Sequence, residues 1–482
     1  MAMPSGAQAG SVVLRGGTVL TLDAQHSVLR GADVLVTGDR IAAVGPALPV
    51  PEGTREIDAR DGIVMPGMID THRHMWQTAM RGYGADWTLT QYFVWYYLES
   101  GRHFRPEDIR AGNLLAAAEA LDAGVTTCVD WSHGLQTVAH AEGAVDALRA
   151  VPGRFVLAYG NIQQAPWEWS TSADFRAFAR RMLDEADDRL GFQMAFDVTG
   201  DPAFPERAAY EVARSIGVPV TTHAGVWGAT NDDGIRLAHE AGFLDESSVF
   251  VHAATLSADS YHRIAASGGS VSVSTESEQS AGQGYPPTWS LRAHDIPVSL
   301  SMDTSVWWSG DLFSAMRTTL GADRSREHFE AHQKGDTVTH LSLRAEHVVD
   351  WATRGGAAAL GRSAALGSLE AGKKADIVLI KNDASPVSFP LLNPYGHVAF
   401  QAQRGDVHTV LVDGRIVKED HRLVGVDLAA IRREVENTVE HLRATMGEDA
   451  WAQGMNPDVP ATKVLDNPYT YTDYASGATH GG

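Results

Sequence analysis

Three observations predict an α/β protein built on a (β/α)8 TIM-like barrel. Between residues 62 and 360, short apolar runs rich in β-branched residues alternate with helix-length segments. Eight such runs occur. His and Asp residues recur just after them, at the strand ends where a barrel of this kind carries its chemistry.

Residues 1–61 form an N-terminal β-rich flank: runs beginning at Ser11, Thr18, Asp33 and Arg40 are separated by Gly and Asp turns, the texture of a small antiparallel sheet. Residues 62–360 form the barrel. Its strands are expected at 62–70, 125–130, 155–159, 192–196, 218–222, 248–251, 270–274 and 298–302. Segments 106–122 and 174–188 carry apolar residues at three- and four-residue spacing, as helices that wrap a barrel should. A doubly wound open sheet also alternates strands with helices, and the placement of the polar residues decides for the barrel. Residues 361–425 return to short strands of the same texture as the first flank, at 375–380 and 407–412, the second closed by Asp413 and Gly414. Residues 426–482 comprise a C-terminal helix, 427–446, with Leu428, Ile431, Val435, Val439 and Leu442 on one face, and a tail. That tail, 447–482, lacks periodicity and is expected as an extended arm or a disordered end.

The chain of 482 residues is long enough to bury a large core, and its 44% hydrophobic content is that of a water-soluble enzyme. A net charge of −21 argues against nucleic acid as a partner, because phosphate recognition needs a basic surface. The single cysteine, Cys128, excludes an internal disulfide. No apolar stretch approaches the roughly 20 residues that span a bilayer, and the first ten residues lack signal-peptide character. A cytoplasmic protein without membrane partners is expected.

The first barrel strand runs into Asp70-Thr71-His72-Arg73-His74. Alternate residues of a strand point the same way, so His72 and His74 can grip one metal ion together. The fifth strand ends at His223, the sixth at His252 and the eighth at Asp303. Each alone is an ordinary hydrogen-bonded histidine or helix-capping aspartate. At successive strand ends the five form a metal-site constellation.

With these residues, the PGMIDTHRH segment around them, and the late segment from Gly367 to Ile380, the sequence resembles the amidohydrolase superfamily. The resemblance covers about residues 11–425. It is to the subgroup containing cytosine, guanine and S-adenosylhomocysteine deaminases and the triazine chlorohydrolases. It implies that the two β-rich flanks, residues 1–61 and 361–425, join as one small composite β-sandwich domain built from both chain ends, and that His72, His74, His223 and Asp303 hold one divalent metal. His252 would stand behind them or act as a further ligand. It also implies a homodimer or larger homo-oligomer.

The chemistry of the residues fits those roles. Three neutral imidazoles and one carboxylate leave a divalent ion net positive, which lowers the pKa of its bound water towards ~7 and supplies hydroxide near neutral pH. Asp303 can take the water's proton and pass it to the leaving group, and His252 can polarise the substrate by hydrogen bonding. Zinc suits the donor set, and iron, cobalt and manganese are compatible with it. The fourth strand holds no lysine to be carboxylated, which favours a single metal.

Two departures qualify the resemblance. Deaminases of this group place a proton-shuttling glutamate three residues after the strand-five histidine, where this chain has Val226. After the seventh strand, relatives commonly read Pro-x-Ser-Asn, where this chain reads Thr275-Glu276-Ser277-Glu278. Glu276 or Glu278 is a candidate replacement acid. Candidate substrate contacts are Gln77, whose amide can read a carbonyl and a ring N–H, and the indoles of Trp76, Trp131, Trp227 and Trp307, placed to line a pocket for a flat ligand. The expected activity is metal-dependent hydrolysis of a non-peptide C–N bond, of amide, urea, carbamate or lactam type, in a small aromatic or cyclic molecule. Deamination or dechlorination of a heteroaromatic ring is the alternative within the same chemistry; a non-catalytic interaction protein on the same fold is the alternative outside it.

Overall fold

Eight parallel strands pair in sequence order in the computed structural model, which describes residues 10–226 and 229–459. They are β1 (Met68–Arg73), β2 (Val125–Ser132), β3 (Arg154–Tyr159), β4 (Leu190–Ala195), β5 (Val220–Ala224), β6 (Val249–His252), β7 (Ser270–Val273) and β8 (Val298–Leu300). The barrel closes beyond the end of β8: the His74 N–H donates to the Asp303 carbonyl at 2.8 Å, and the Asp303 N–H donates to the His72 carbonyl at 3.1 Å. Closure therefore runs through the residues expected to bind metal.

The barrel interior is partly hydroxyl-lined. Thr71, on β1, reaches Ser272 at 2.7 Å and Ser299 at 2.8 Å, and Ser301 bridges Ser272 and Ser274 at 2.8 and 2.6 Å. Each hydroxyl in this chain is both donor and acceptor, so the group is buried without the cost of unpaired polar atoms.

The two flanks join in one nine-stranded sheet. Val12–Leu20, Val28–Thr37, Arg40–Gly45, Arg55–Asp58 and Ile63–Pro66 come from the N-terminal side; Ile377–Ile380, Val407–Val412, Arg415–Glu419 and Arg422–Leu423 come from the C-terminal side. Ile63–Pro66 and Ile377–Ile380 form the antiparallel seam. The sheet folds over a core that includes Leu14, Val34, Ile57, Ile377 and Leu411, so the sandwich is a single continuous sheet.

The expected first barrel strand, 62–70, is thus two strands in two sheets. The break is at Gly67, whose N–H donates to the Asp376 carbonyl at 2.9 Å. A Cβ at Gly67 would occupy the space of the Thr126 side chain, so only glycine permits this close crossing between sheets. Arg154, at the start of β3, clamps barrel to sandwich by pairing with Asp376 at 3.2 Å and Asp413 at 2.7 Å.

Among the helices, Pro106–Asp122 spans the expected residues. The expected 174–188 helix runs Ala173–Asp184, with the Ser172 hydroxyl capping the Phe175 N–H. It stops early because the Asp187 carboxylate accepts the N–H groups of Arg189 and Leu190 and turns the chain into β4. The C-terminal helix is Leu428–Met446, capped by Asp427. Beyond it, the stretch expected to lack structure includes a further helix, Glu448–Gln453, and residues 460–482 lie outside the described residues. Among the described residues, no helix is long and apolar enough to cross a membrane.

Candidate metal centre

His72, His74, His223, His252 and Asp303 converge at the C-terminal mouth of the barrel. Two sets of ligand atoms, His72–His74–Asp303 and His72–His223–His252, each lie within 4.8 Å of one another. Asp303 Oδ1 is 3.4 Å from Nε2 of both His72 and His74. Strand periodicity explains the first pair, and parallel register places His223 beside Val251 and Ala224 beside His252 on neighbouring strands. His252 and Asp303 have φ of 72° and 67°, left-handed backbone that non-glycine residues seldom adopt. In Asp303 the barrel-closing hydrogen bonds on both its N–H and its carbonyl hold that conformation.

A second layer of groups orients these rings. His74 Nδ1 lies 2.8 Å from the Trp131 carbonyl, which can only accept, so Nδ1 carries the proton and the Nε2 lone pair faces the centre. His223 Nδ1 is held the same way by Asp197 Oδ1 at 2.7 Å. His252 Nδ1 lies 3.4 Å from Glu278 Oε1, which also accepts the Ser274 N–H at 2.7 Å. Both ring nitrogens of His72 are buried with no hydrogen-bond partner among the described residues. Such a residue is costly unless a ligand takes the lone pair.

Burial pushes the His72 imidazole well below its ordinary value and His74 down to about 4, so both are neutral and able to coordinate near pH 7. Burial pushes the Asp303 carboxyl up, but the adjacent His72 and His74 imidazoles outweigh it and hold the group ionised, below the usual carboxylate range. Neutral imidazoles, one carboxylate and an orphaned buried nitrogen pair fit a divalent metal.

A small cavity of about 50 Å³ opens onto this centre. Leu89, Tyr92, Phe93, Tyr97 and Val226 supply its apolar wall, and Gln283 and Asp197 add polar groups. Larger clefts lie at the opposite end of the barrel, against residues that begin strands, such as Arg154, Gly191 and Ser270.

Several expected substrate contacts are elsewhere. Gln77 is fully buried, its amide donating to the Tyr92 hydroxyl at 2.6 Å and accepting from Thr304 at 2.7 Å, so it does not face the cavity. Trp76 is also buried: it stacks on Tyr96 and donates to His133 Nδ1 at 3.0 Å. Trp131 packs 4.1 Å from the His223 ring, beneath the ligands rather than along the cavity wall. Trp307 stands behind Tyr92, with ring centroids 4.5 Å apart. Glu276 accepts from the Ser309 hydroxyl, and Glu278 is buried behind His252; neither lines the cavity. Trp227 lies outside the described residues.

Sequence reasoning missed the cavity wall at Leu89, Tyr92, Phe93, Tyr97 and Gln283. The structure also gives a role to Asp197, which orients His223. The available signal was Thr88-x-x-Gln91, a capping-box pattern that the structure forms, followed at once by an aromatic-rich run.

Residues 63–417 match the family model described as the amidohydrolase family. The chain belongs to the amidohydrolase family. This amidohydrolase is similar to a 5-methylthioadenosine/S-adenosylhomocysteine deaminase of Natronomonas pharaonis, at 30% identity over 451 residues, covering 89% of this chain and 97% of the relative. A protein of the same description from Symbiobacterium thermophilum is 29% identical over 425 residues, covering 85% and 94%. The 5'-deoxyadenosine deaminase of Methanosarcina barkeri is 24% identical over 445 residues, covering 89% and 98%. In fold, the amidohydrolase is similar to atrazine chlorohydrolase from Arthrobacter aurescens complexed with zinc, with a TM-score of 0.77 and 23% identity over 89% of this chain and all of the other. An adenosine deaminase from Xanthomonas campestris with bound zinc gives a TM-score of 0.75 at 21% identity, covering 90% and 99%. The protein is accordingly an enzyme, a metal-dependent hydrolase of carbon–nitrogen bonds.

Proposed function

We propose that this amidohydrolase cleaves an amide, urea, carbamate or lactam bond in a small aromatic or cyclic molecule, at one zinc ion held by His72, His74, His223 and Asp303. The observation that carries the bond type is Val226. It lines the cavity three residues after His223, and the only carboxylates bordering the cavity among the described residues are Asp303 and Asp197, the latter committed to His223. Adding water to an aromatic amidine requires an acid that protonates the ring nitrogen, and valine has no proton to give. A carbonyl carbon needs only polarisation of its oxygen.

Zinc, when bound, furnishes a nucleophile from water near neutral pH; three nitrogen donors and one oxygen suit it, and two similar folds carry it. The protein's own groups do the rest. Asp303, ionised and between the two β1 histidines, accepts the attacking water's proton and returns it to the leaving nitrogen. His252, on the cavity wall with Nδ1 facing Glu278, contacts the substrate beside its carbonyl. Tyr92, Phe93 and Tyr97 bury the flat body of the substrate and keep bulk water away.

A second reading, hydrolytic deamination, is favoured by the activities of the curated relatives named above. The test is a mass-spectrometric screen of zinc-loaded enzyme against aromatic amides, ureas, lactams and aminoheterocycles. Gain of one water, whole or divided between two fragments, supports amide-type cleavage. Conversion of an amino to a hydroxyl group, with the amides untouched, replaces it with deamination and requires an acid other than residue 226.

A further inference from the structure

One wall of the cavity is an aromatic segment, residues 89–97, that covers it as a lid would. A single turn, Leu89–Gln91, continues into the wound segment Tyr92–Ser100, and Leu89, Tyr92, Phe93 and Tyr97 face the cavity from it. The approach to this lid is gripped by a segment far away in sequence. The Tyr83 hydroxyl donates to the Trp451 carbonyl at 2.6 Å, and the Trp87 indole N–H donates to the Gly454 carbonyl at 2.8 Å. The Gln91 side-chain amide donates to Asn456 Oδ1 at 3.0 Å and to the Pro457 carbonyl at 2.9 Å. The Tyr83 and Trp451 rings lie 4.9 Å apart.

Two further facts make this more than a surface contact. A Cβ at Gly454 would fall on the Tyr83 hydroxyl and the Trp95 indole, so the segment is seated in a slot that only glycine fits. Trp87 also touches the ring of Trp307, which packs on Tyr92, so the grip reaches the cavity wall in two ring contacts. This gripping segment lies beyond residue 417, where the match to the family ends.

We propose that residues 448–457 are a strap that holds the aromatic lid, residues 89–97, over the cavity and so sets substrate affinity. The effect on affinity rests on the reading that this cavity receives the substrate. A lid ordered in advance spares binding the entropy of ordering it, whereas an unstrapped lid must be ordered by the substrate itself. The loss falls on KM. The metal ligands, on other elements, are untouched, so kcat at saturation is retained.

The test compares hydrogen exchange of the lid peptide in the intact enzyme, in Gly454→Val, and in a chain ended at Met446, which removes the strap outright. Exchange over 89–97 is expected to rise at least about tenfold in both variants, with metal content unchanged. On a substrate from the screen, KM is expected to rise about tenfold while kcat stays within about twofold. A lid that remains protected in the truncated chain overturns the strap, whatever the substrate proves to be. A loosened lid with unchanged KM overturns its role in affinity. An equal loss of kcat and metal would make the segment merely structural.

Discussion

Asp303 is both part of the barrel's closure and the group expected to move protons, and its backbone is left-handed. That combination selects the informative variant. Asparagine tolerates the left-handed region better than alanine, so Asp303→Asn should keep the fold, by circular dichroism and thermal melting, and lower kcat by about a thousandfold. Turnover near that of the parent would refute its role as proton acceptor. Glu276 offers a pH-dependent test away from the metal. Burial pushes its carboxyl up to about 7, against a hydrogen bond from Ser309. The folded value lies above the ordinary one, so its contribution is fully present below the ordinary carboxylate range and is lost as pH rises through about 7. Glu276→Gln should therefore melt increasingly above the parent as pH rises from about 5 to about 8; a constant difference would show that Glu276 is ionised throughout. At this scale the histidines were legible because strand periodicity aligns them. Asp197 was not, because its partner His223 sits on another strand, 26 residues later.

At the scale of elements, the junction between sandwich and barrel governs how the site is presented. β1 is fixed at one end by the Gly67 crossing and at the other by closure onto Asp303, so His72 and His74 project from a strand held at both ends. Arg154 ties β3 to the strand and turn that carry Asp376 and Asp413, and is itself 2% exposed. Replacing it with methionine keeps the apolar stem and leaves the buried Asp376 without its cation, beside the half-buried Asp413, which keeps Lys374 at 3.4 Å. The expected loss is about 3–5 kcal/mol in denaturant unfolding, and a loss below about 1 kcal/mol would place the clamp among ordinary surface pairs. The apolar run of residues 63–69 reads as one strand because both halves share the same composition; the split depends on Thr126, which only the folded chain brings there.

For the whole molecule, a metal at the proposed centre would be the contact that all the converging strands share. Four histidines and an aspartate from the ends of β1, β5, β6 and β8 meet at the mouth, and the ring nitrogens of His72 make no hydrogen bond among the described residues. An ion that binds only the folded state stabilises it by mass action. Dialysis against a strong chelator is therefore expected to abolish turnover and to lower the melting temperature by several degrees, with both restored by zinc. A stripped protein that melts and turns over as before would remove the metal from the mechanism.

The sequence by itself determined the barrel, the β-rich character of its two flanks and the residue types at the mouth. Each of these is written locally, in strand alternation, in helical spacing and in the residue that follows an apolar run. Only the tertiary structure decided which aromatics face the cavity. Trp76 and Gln77 turn inward to bond His133 and Thr304, while Tyr92 and Tyr97, from a lid secured by the far end of the chain, take the cavity wall. The physical reason is that a side chain's exposure is settled by partners distant in sequence, and periodicity within one segment carries no record of them.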